Sequence, residues 1–213
     1  MKYTTIIFDL DGTLLNTLDD LADSLNYALA KEGYATHTYE EVKFFVGSGI
    51  QVMIERALPQ QAEHFDAVYQ TFLTHYEKNK TNKTAPYPGV FETLKLLKAK
   101  GVQMAIVSNK YQQGVTEICT PLFGQYMDVM IGEQPGYAKK PSRDMVDLAI
   151  NQLGVDPATA VYVGDSDIDV LTAQHAQLPC IGAAWGFRGE AFLKAQGVKM
   201  IAKTFSDILK FIE

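Results

Sequence analysis

The segment Thr4-Thr5-Ile6-Ile7-Phe8-Asp9-Leu10-Asp11-Gly12-Thr13-Leu14 carries two carboxylates off the end of an apolar strand and directly into a glycine turn. Strand side chains alternate between two faces, so Asp9 and Asp11 share one site if extended geometry persists past Phe8. Two carboxylates a few ångströms apart raise each other's pKa or recruit a cation. A divalent metal beside a reacting phosphate accounts for such a pair.

Other polar groups follow apolar runs in the same manner. Ser108-Asn109 comes after Val102–Val107, and Asp165 comes after Ala160–Val163. Open α/β sheets place their ligands at the C-terminal ends of their strands, so Asp9, Ser108 and Asp165 are expected in one pocket. There the Ser108 hydroxyl and the Asn109 amide could orient phosphoryl oxygens.

Bringing these groups together requires alternating strands and helices. From Pro88 onward the pattern runs helix Val90–Lys100, strand Val102–Val107, helix Tyr111–Cys119, strand Asp128–Ile131, helix Ser142–Leu153, strand Ala160–Val163 and helix Asp167–His175. Pro179–Ala183 and Lys199–Ala202 add later strands, and Phe205–Ile212 a closing helix. Before Pro88 the signal is helical. Thr17 with Asp20 reads as a cap and an early acid for a helix with Leu18, Leu21, Leu25 and Leu29 on one face, and Thr38 with Glu41 reads as a capping box. Gly47-Ser48-Gly49 separates Val42–Val46 from Ile50–Leu58, a helix covers Ala62–Tyr76, and Glu77–Thr84 reads as a solvated connection. The expected fold class is α/β: a doubly wound, mostly parallel sheet core from residues 1–15 and 86–213, with an inserted helical cap domain at 16–85.

The ordered set Asp9-Leu10-Asp11-Gly12-Thr13-Leu14, Ser108-Asn109, Lys140-Pro141 and Gly164-Asp165-Ser166-Asp167-Ile168-Asp169 resembles the haloacid dehalogenase-like hydrolase superfamily, most closely its phosphoglycolate phosphatase-like branch. The resemblance spans nearly the whole chain. It implies that Asp9 is a nucleophile forming an aspartyl-phosphate, that Asp11 protonates the leaving alkoxide and later activates water, and that Asp9, Asp11 and Asp165 hold Mg²⁺. It selects Lys140, rather than neighbouring Lys139, as the cation facing phosphate and Asp9, and gives Asp169 the task of steadying Lys140 or the metal site. Asp167 is expected to cap the helix it begins, with a water-mediated contact to the site as the alternative. Arg143 stands where the family often has proline, which weakens any fine assignment of substrate.

In the cap, Ser48 within Gly47-Ser48-Gly49, Lys43 and Arg56 are candidate contacts for the organic part of a substrate, with an ordinary turn and solvated surface cations as the alternatives. Phe44-Phe45 reads as packing. Trp185, in Trp185-Gly186-Phe187-Arg188, extends the pocket rim or packs, with Arg188 facing solvent. The implied function is Mg²⁺-dependent hydrolysis of a small phosphomonoester, phosphoglycolate first. Inorganic pyrophosphatase, nucleotide monophosphate phosphatase, and a non-catalytic phosphate-binding or protein-interaction module are the alternatives.

Composition narrows the setting. With 213 residues, 47% hydrophobic and 21% charged, the chain can bury one substantial core and a small second domain. A net charge of −6 offers no global positive field to a nucleic-acid backbone. Cys119 and Cys180 lack metal spacing and sit among apolar neighbours, which suits buried thiols in a reducing compartment. His37, His64, His75 and His175 form no local metal motif. No segment reaches membrane-spanning length without charge, and the expected location is cytoplasmic, with a small phosphorylated metabolite as the partner.

Overall fold

The computed structural model describes residues 1–212. The chain forms two compact units, Met1–Leu14 with Pro86–Glu213, and Leu15–Ala85. In chain order, β1 (Thr5–Phe8) opens the first unit. Then come β2 (Leu15–Asn16), α1 (Leu18–Lys31), α2 (Tyr39–Phe45), α3 (Ile50–Ala57), α4 (Phe65–Asn79) and β3 (Ala85–Pro86). The first unit resumes with α5 (Val90–Ala99), β4 (Gln103–Tyr111), α6 (Gln112–Phe123), β5 (Val129–Glu133), α7 (Asp144–Leu153) and β6 (Ala160–Gly164). It ends with α8 (Asp167–His175), β7 (Cys180–Ala183), α9 (Gly189–Ala195), β8 (Met200–Ala202) and α10 (Leu209–Ile212).

The first unit is a parallel six-stranded sheet of order β5-β4-β1-β6-β7-β8. Both faces are covered, which is why β1 and β6 read as unbroken apolar runs rather than alternating ones. Ile7, Ala105 and Tyr162 pack with Met145, Val146 and Ala149 of α7 and Ala173 of α8. Phe8 stacks on Phe205, with ring centroids 5.8 Å apart. Strand order departs from β1 in both directions, so the sheet's switch point lies beside the end of the strand that carries Asp9.

Two elements of this unit differ from their sequence patterns. β4 continues through Ser108, Asn109 and Lys110 to Tyr111, instead of ending at Val107. Its register with β5 shifts between Val107 and Tyr111, and the Gln112 side chain takes over part of the pairing by accepting from Gly132 N–H and donating to Met130 O. This polar stretch is buried by hydrogen bonding that hydrophobic periodicity does not register. The cap of α8 is Ser166, not Asp167: its hydroxyl accepts from Asp169 N–H, and the Asp169 side chain returns the bond to the Ser166 backbone.

In the second unit the expected face of α1 is buried at Leu18, Leu21, Leu25 and Leu29, and α1 packs along α4, which buries Val68, Phe72 and Tyr76. The Thr38–Glu41 capping box forms. Thr17, however, makes no side-chain cap, and Asp20 is not a solvated early acid. Asp20 is 2% exposed; its carboxylate accepts from Lys83 N–H at 3.0 Å and Thr84 N–H at 2.8 Å. The Glu77–Thr84 run is accordingly no free connection, since α4 extends to Asn79, Lys80 is buried and the following backbone is tied to α1. Phe44 is 61% exposed, while Phe45 meets His37 edge-on at 5.0 Å.

Among the described residues, no helix is long and apolar enough to cross a membrane. The two cysteines are free thiols, and burial pushes Cys119 up to about 12. The carboxylate of Asp20 is a buried long-range tie of the second unit, so Asp20→Asn, which keeps the volume but not the charge, should lower unfolding free energy by about 1.5–3 kcal/mol in urea titrations. An unchanged midpoint would show that the tie is dispensable.

Candidate active site

β1 delivers Asp9 because its ladder runs one residue past the strand: Asp9 N–H donates to Val163 O at 2.9 Å. The chain then turns sharply, with Leu14 N–H donating back to Leu10 O at 3.0 Å. Gly12 sits at φ +88 in this turn, and a Cβ there would lie 2.5 Å from Asp165 Oδ2. Glycine is therefore required twice over, by its backbone conformation and by the carboxylate packed against it.

The centre of the site is the buried ammonium of Lys140. It donates to Asp9 Oδ1 at 2.6 Å, to Asp169 Oδ1 at 2.8 Å and to the Tyr162 hydroxyl at 3.0 Å, and that hydroxyl donates onward to Asp169 Oδ1 at 3.1 Å. Asp169 Oδ2 also accepts from the Asp165 and Ser166 backbone N–H groups and from Ser166 Oγ. Asn109 fixes the other end of the lysine: its amide donates to Lys140 O at 3.0 Å and accepts from Lys140 N–H at 2.8 Å. These two bonds hold Asn109 to the Lys140 backbone, a positioning contact in addition to the phosphoryl contact expected of it. Ser108 Oγ accepts from Lys110 N–H at 3.1 Å, which leaves its own O–H as a donor toward a ligand.

Asp165 is 1% exposed and accepts from Phe187 N–H at 2.7 Å and from the Thr13 hydroxyl at 3.4 Å. The Trp185–Phe187 loop thus orients the carboxylate. Trp185 Nε1 donates to Thr13 O at 2.9 Å and its ring leans on Phe205, so this tryptophan is an anchor of the acidic turn. Arg188 is buried rather than facing solvent, with Nε 3.9 Å from Asp167. Lys43 pairs with Glu40 at 2.6 Å; Arg56 donates to the Phe45 carbonyl at 3.0 Å and to Ser48 Oγ at 3.2 Å, closing the end of α2. Each of these cap candidates thus has a local partner.

Burial, then the charge of Asp169, pushes Asp9 up to about 7 against the pull of Lys140. Burial and the neighbouring Asp169 and Asp9 hold Asp165 well above the usual carboxylate range. Asp169 behaves oppositely: burial opposes its charge, but Lys140 and the Ser166 donors hold its carboxyl below that range. Lys140 is itself held strongly protonated, its burial outweighed by Asp169 and Asp9. One oxygen from each of Asp9, Asp165 and Asp169 lies within 4.8 Å of the others. Asp169 is already saturated by donors, so the unbalanced negative charge belongs to Asp9 and Asp165, a hard-oxygen pair that fits a divalent cation.

Three participants escaped the sequence reading. Lys110, with Nζ 3.3 Å from Asp11 Oδ1, follows Ser108-Asn109 directly and was within reach of it. Tyr162 is a hydroxyl in the middle of an apolar strand, a position that demands a buried partner. Phe187 acts through its backbone, which leaves no side-chain signal.

A family model described as haloacid dehalogenase-like hydrolase matches residues 6–183. The chain belongs to that family. It is 35% identical over 193 residues to a phosphoglycolate phosphatase of Agrobacterium fabrum, covering 85% of this chain and 80% of that protein. A phosphoglycolate phosphatase of Caulobacter vibrioides is 32% identical, with 97% and 89% covered. The crystal structure of a candidate phosphoglycolate phosphatase from Lactobacillus delbrueckii subsp. bulgaricus superposes with a TM-score of 0.95 at 34% identity, covering 100% of this chain and 99% of that one.

The hydrolase fold therefore surrounds a lysine whose removal leaves buried carboxylates without compensation. Lys140→Met should destabilise the metal-free protein by about 3–5 kcal/mol in chemical denaturation. Lys139→Met, one residue away and outside the network, should change it by no more than about 0.5 kcal/mol. Equal effects of the two would contradict the network's importance.

Proposed function

We propose that this hydrolase is a Mg²⁺-dependent phosphatase that cleaves a small phosphomonoester through an aspartyl-phosphate on Asp9, with phosphoglycolate as its preferred substrate. The observation that carries the reading is a buried Asp9 held at 2.6 Å by Lys140 beside a second, unsaturated carboxylate, Asp165. The named relatives supply the substrate class, being phosphoglycolate phosphatases over most of their length.

Asp9 attacks phosphorus, its oxygen bonding as the ester oxygen departs, and Asp11 gives that oxygen a proton. Asp11 then takes a proton from water as the water oxygen attacks the aspartyl-phosphate, releasing inorganic phosphate and restoring the Asp9 carboxylate. Lys140 keeps Asp9 in its attacking position and offsets charge on the transferring group, while the Ser108 hydroxyl is a donor for a phosphoryl oxygen. Asp9 and Asp165, with the Asp11 backbone, would hold Mg²⁺, which when bound supplies positive charge beside both carboxylates and the phosphoryl oxygens. Free thiols at Cys119 and Cys180 suit a cytoplasmic setting.

Two measurements test this. Phosphate release is expected with Mg²⁺ and not with chelator, with kcat/KM highest for phosphoglycolate among phosphoglycolate, pyrophosphate and nucleoside monophosphates, and Asp9→Asn is expected to lower kcat by roughly three orders of magnitude or more. Faster turnover of pyrophosphate or a nucleotide would replace the substrate while keeping the chemistry. No release from any of them would return the chain to a non-catalytic phosphate-binding role. Independently of turnover, Mg²⁺ should raise the melting temperature of the wild type and leave that of Asp165→Asn unmoved; equal shifts would remove Asp165 from the metal set.

A further inference from the structure

The site contains a second buried lysine that the reaction as described does not use. The Lys110 side chain is 4% exposed, and its Nζ lies 3.3 Å from Asp11 Oδ1. Asp11 Oδ1 is nonetheless buried with no hydrogen-bond partner among the described residues. The Lys110–Asp11 pair is close enough for charge compensation and too poorly aligned for a hydrogen bond between the two groups. Lys110 is placed by the backbone of the phosphate-facing segment itself: its N–H donates to Ser108 Oγ, and it lies on the extension of β4.

Position decides what such a cation can read. Asp11 has to reach the ester oxygen to protonate it, within about 2.6–3.2 Å. A cation beside Asp11 is then adjacent to whatever the alcohol carries on the neighbouring carbon. A neutral alcohol gives it nothing to bind, whereas the ester of a 2-hydroxy acid presents a carboxylate there, and a buried lysine facing a carboxylate is the strong, charge-assisted case.

We infer that Lys110 is a specificity-determining residue that binds the carboxylate of the leaving group, selecting phosphate esters of small 2-hydroxy acids over neutral phosphomonoesters. The inference rests on the phosphatase reading and deepens it. Lys140 serves the phosphoryl group common to every substrate; Lys110 serves the part that distinguishes them.

The test compares phosphoglycolate with ethyl phosphate, which has the same two-carbon alcohol without the carboxylate, in the wild type, Lys110→Met and Lys110→Arg. Lys110→Met should reduce kcat/KM for phosphoglycolate on the order of ten- to a hundred-fold more than for ethyl phosphate, chiefly through KM, and Lys110→Arg should recover much of the preference. Competitive inhibition by glycolate should weaken in parallel in Lys110→Met. The ratio of two substrates on one preparation is independent of the fraction folded. Equal losses for both substrates, with glycolate inhibition unchanged, would make Lys110 a positioning residue for Asp11 alone and overturn the inference. Wild-type protein that hydrolyses neither ester would instead defeat the phosphatase reading and this inference with it.

Discussion

A buried ammonium shared between two carboxylates is the constraint on which the rim of the sheet is built. Charges out of water are tolerated only when paired and fully hydrogen-bonded, and Lys140 meets that condition through Asp9, Asp169 and Tyr162. Each of those partners is fixed in turn. Asn109 grips the lysine's peptide, Ser166 and the start of α8 hold Asp169, and Tyr162 rises from β6. The glycines obey the same packing: the space where Gly164 would carry a Cβ is filled by Asp169, and that beside Gly186 by Asp165 and the Gly12 carbonyl. Three strands, β1, β4 and β6, and the start of α8 are thereby pinned to one lysine.

The carboxylates do not share the lysine equally, and the inequality gives the site its chemistry. Asp169 receives the Lys140, Tyr162 and Ser166 donors and the Asp165 N–H, and is held as a carboxylate. Asp9 gains one strong partner and feels Asp169 beside it, so burial leaves it near 7; Asp165 is pushed in the same direction. Positive charge brought next to Asp9 and Asp165 would relieve the groups that burial disfavours as carboxylates, which is why the cluster fits a cation. Asp169 contributes by saturation: it directs the lysine without competing for the ligand.

Much of this was legible in the residues. Apolar runs ended by Asp9 and Asp165 announced strands with chemistry at their C-terminal ends, and α1 and the Thr38 cap followed from helical spacing and capping chemistry. What escaped was governed by hydrogen bonds between residues distant in sequence. Asp20 looks like an ordinary first-turn acid until Lys83 and Thr84 return to it, and nothing around Asn109 in the sequence announces its bonds to the Lys140 backbone. Arg56 and Trp185 carried the chemistry expected of binding residues, and their bonds to the α2 terminus and to the Thr13 carbonyl had no signal in the sequence. Periodicity reports burial; it does not report which polar partners satisfy it.

The central claim is that the Lys140-held carboxylate of Asp9, not water, makes the first bond to phosphorus. Its most direct test is the stereochemical course of hydrolysis of a phosphorothioate monoester carrying two oxygen isotopes at phosphorus, run in water of the third, so that the inorganic thiophosphate released is chiral. Two successive in-line displacements, by Asp9 and then by water, predict net retention of configuration. Net inversion, the signature of a single displacement by water, would contradict the account.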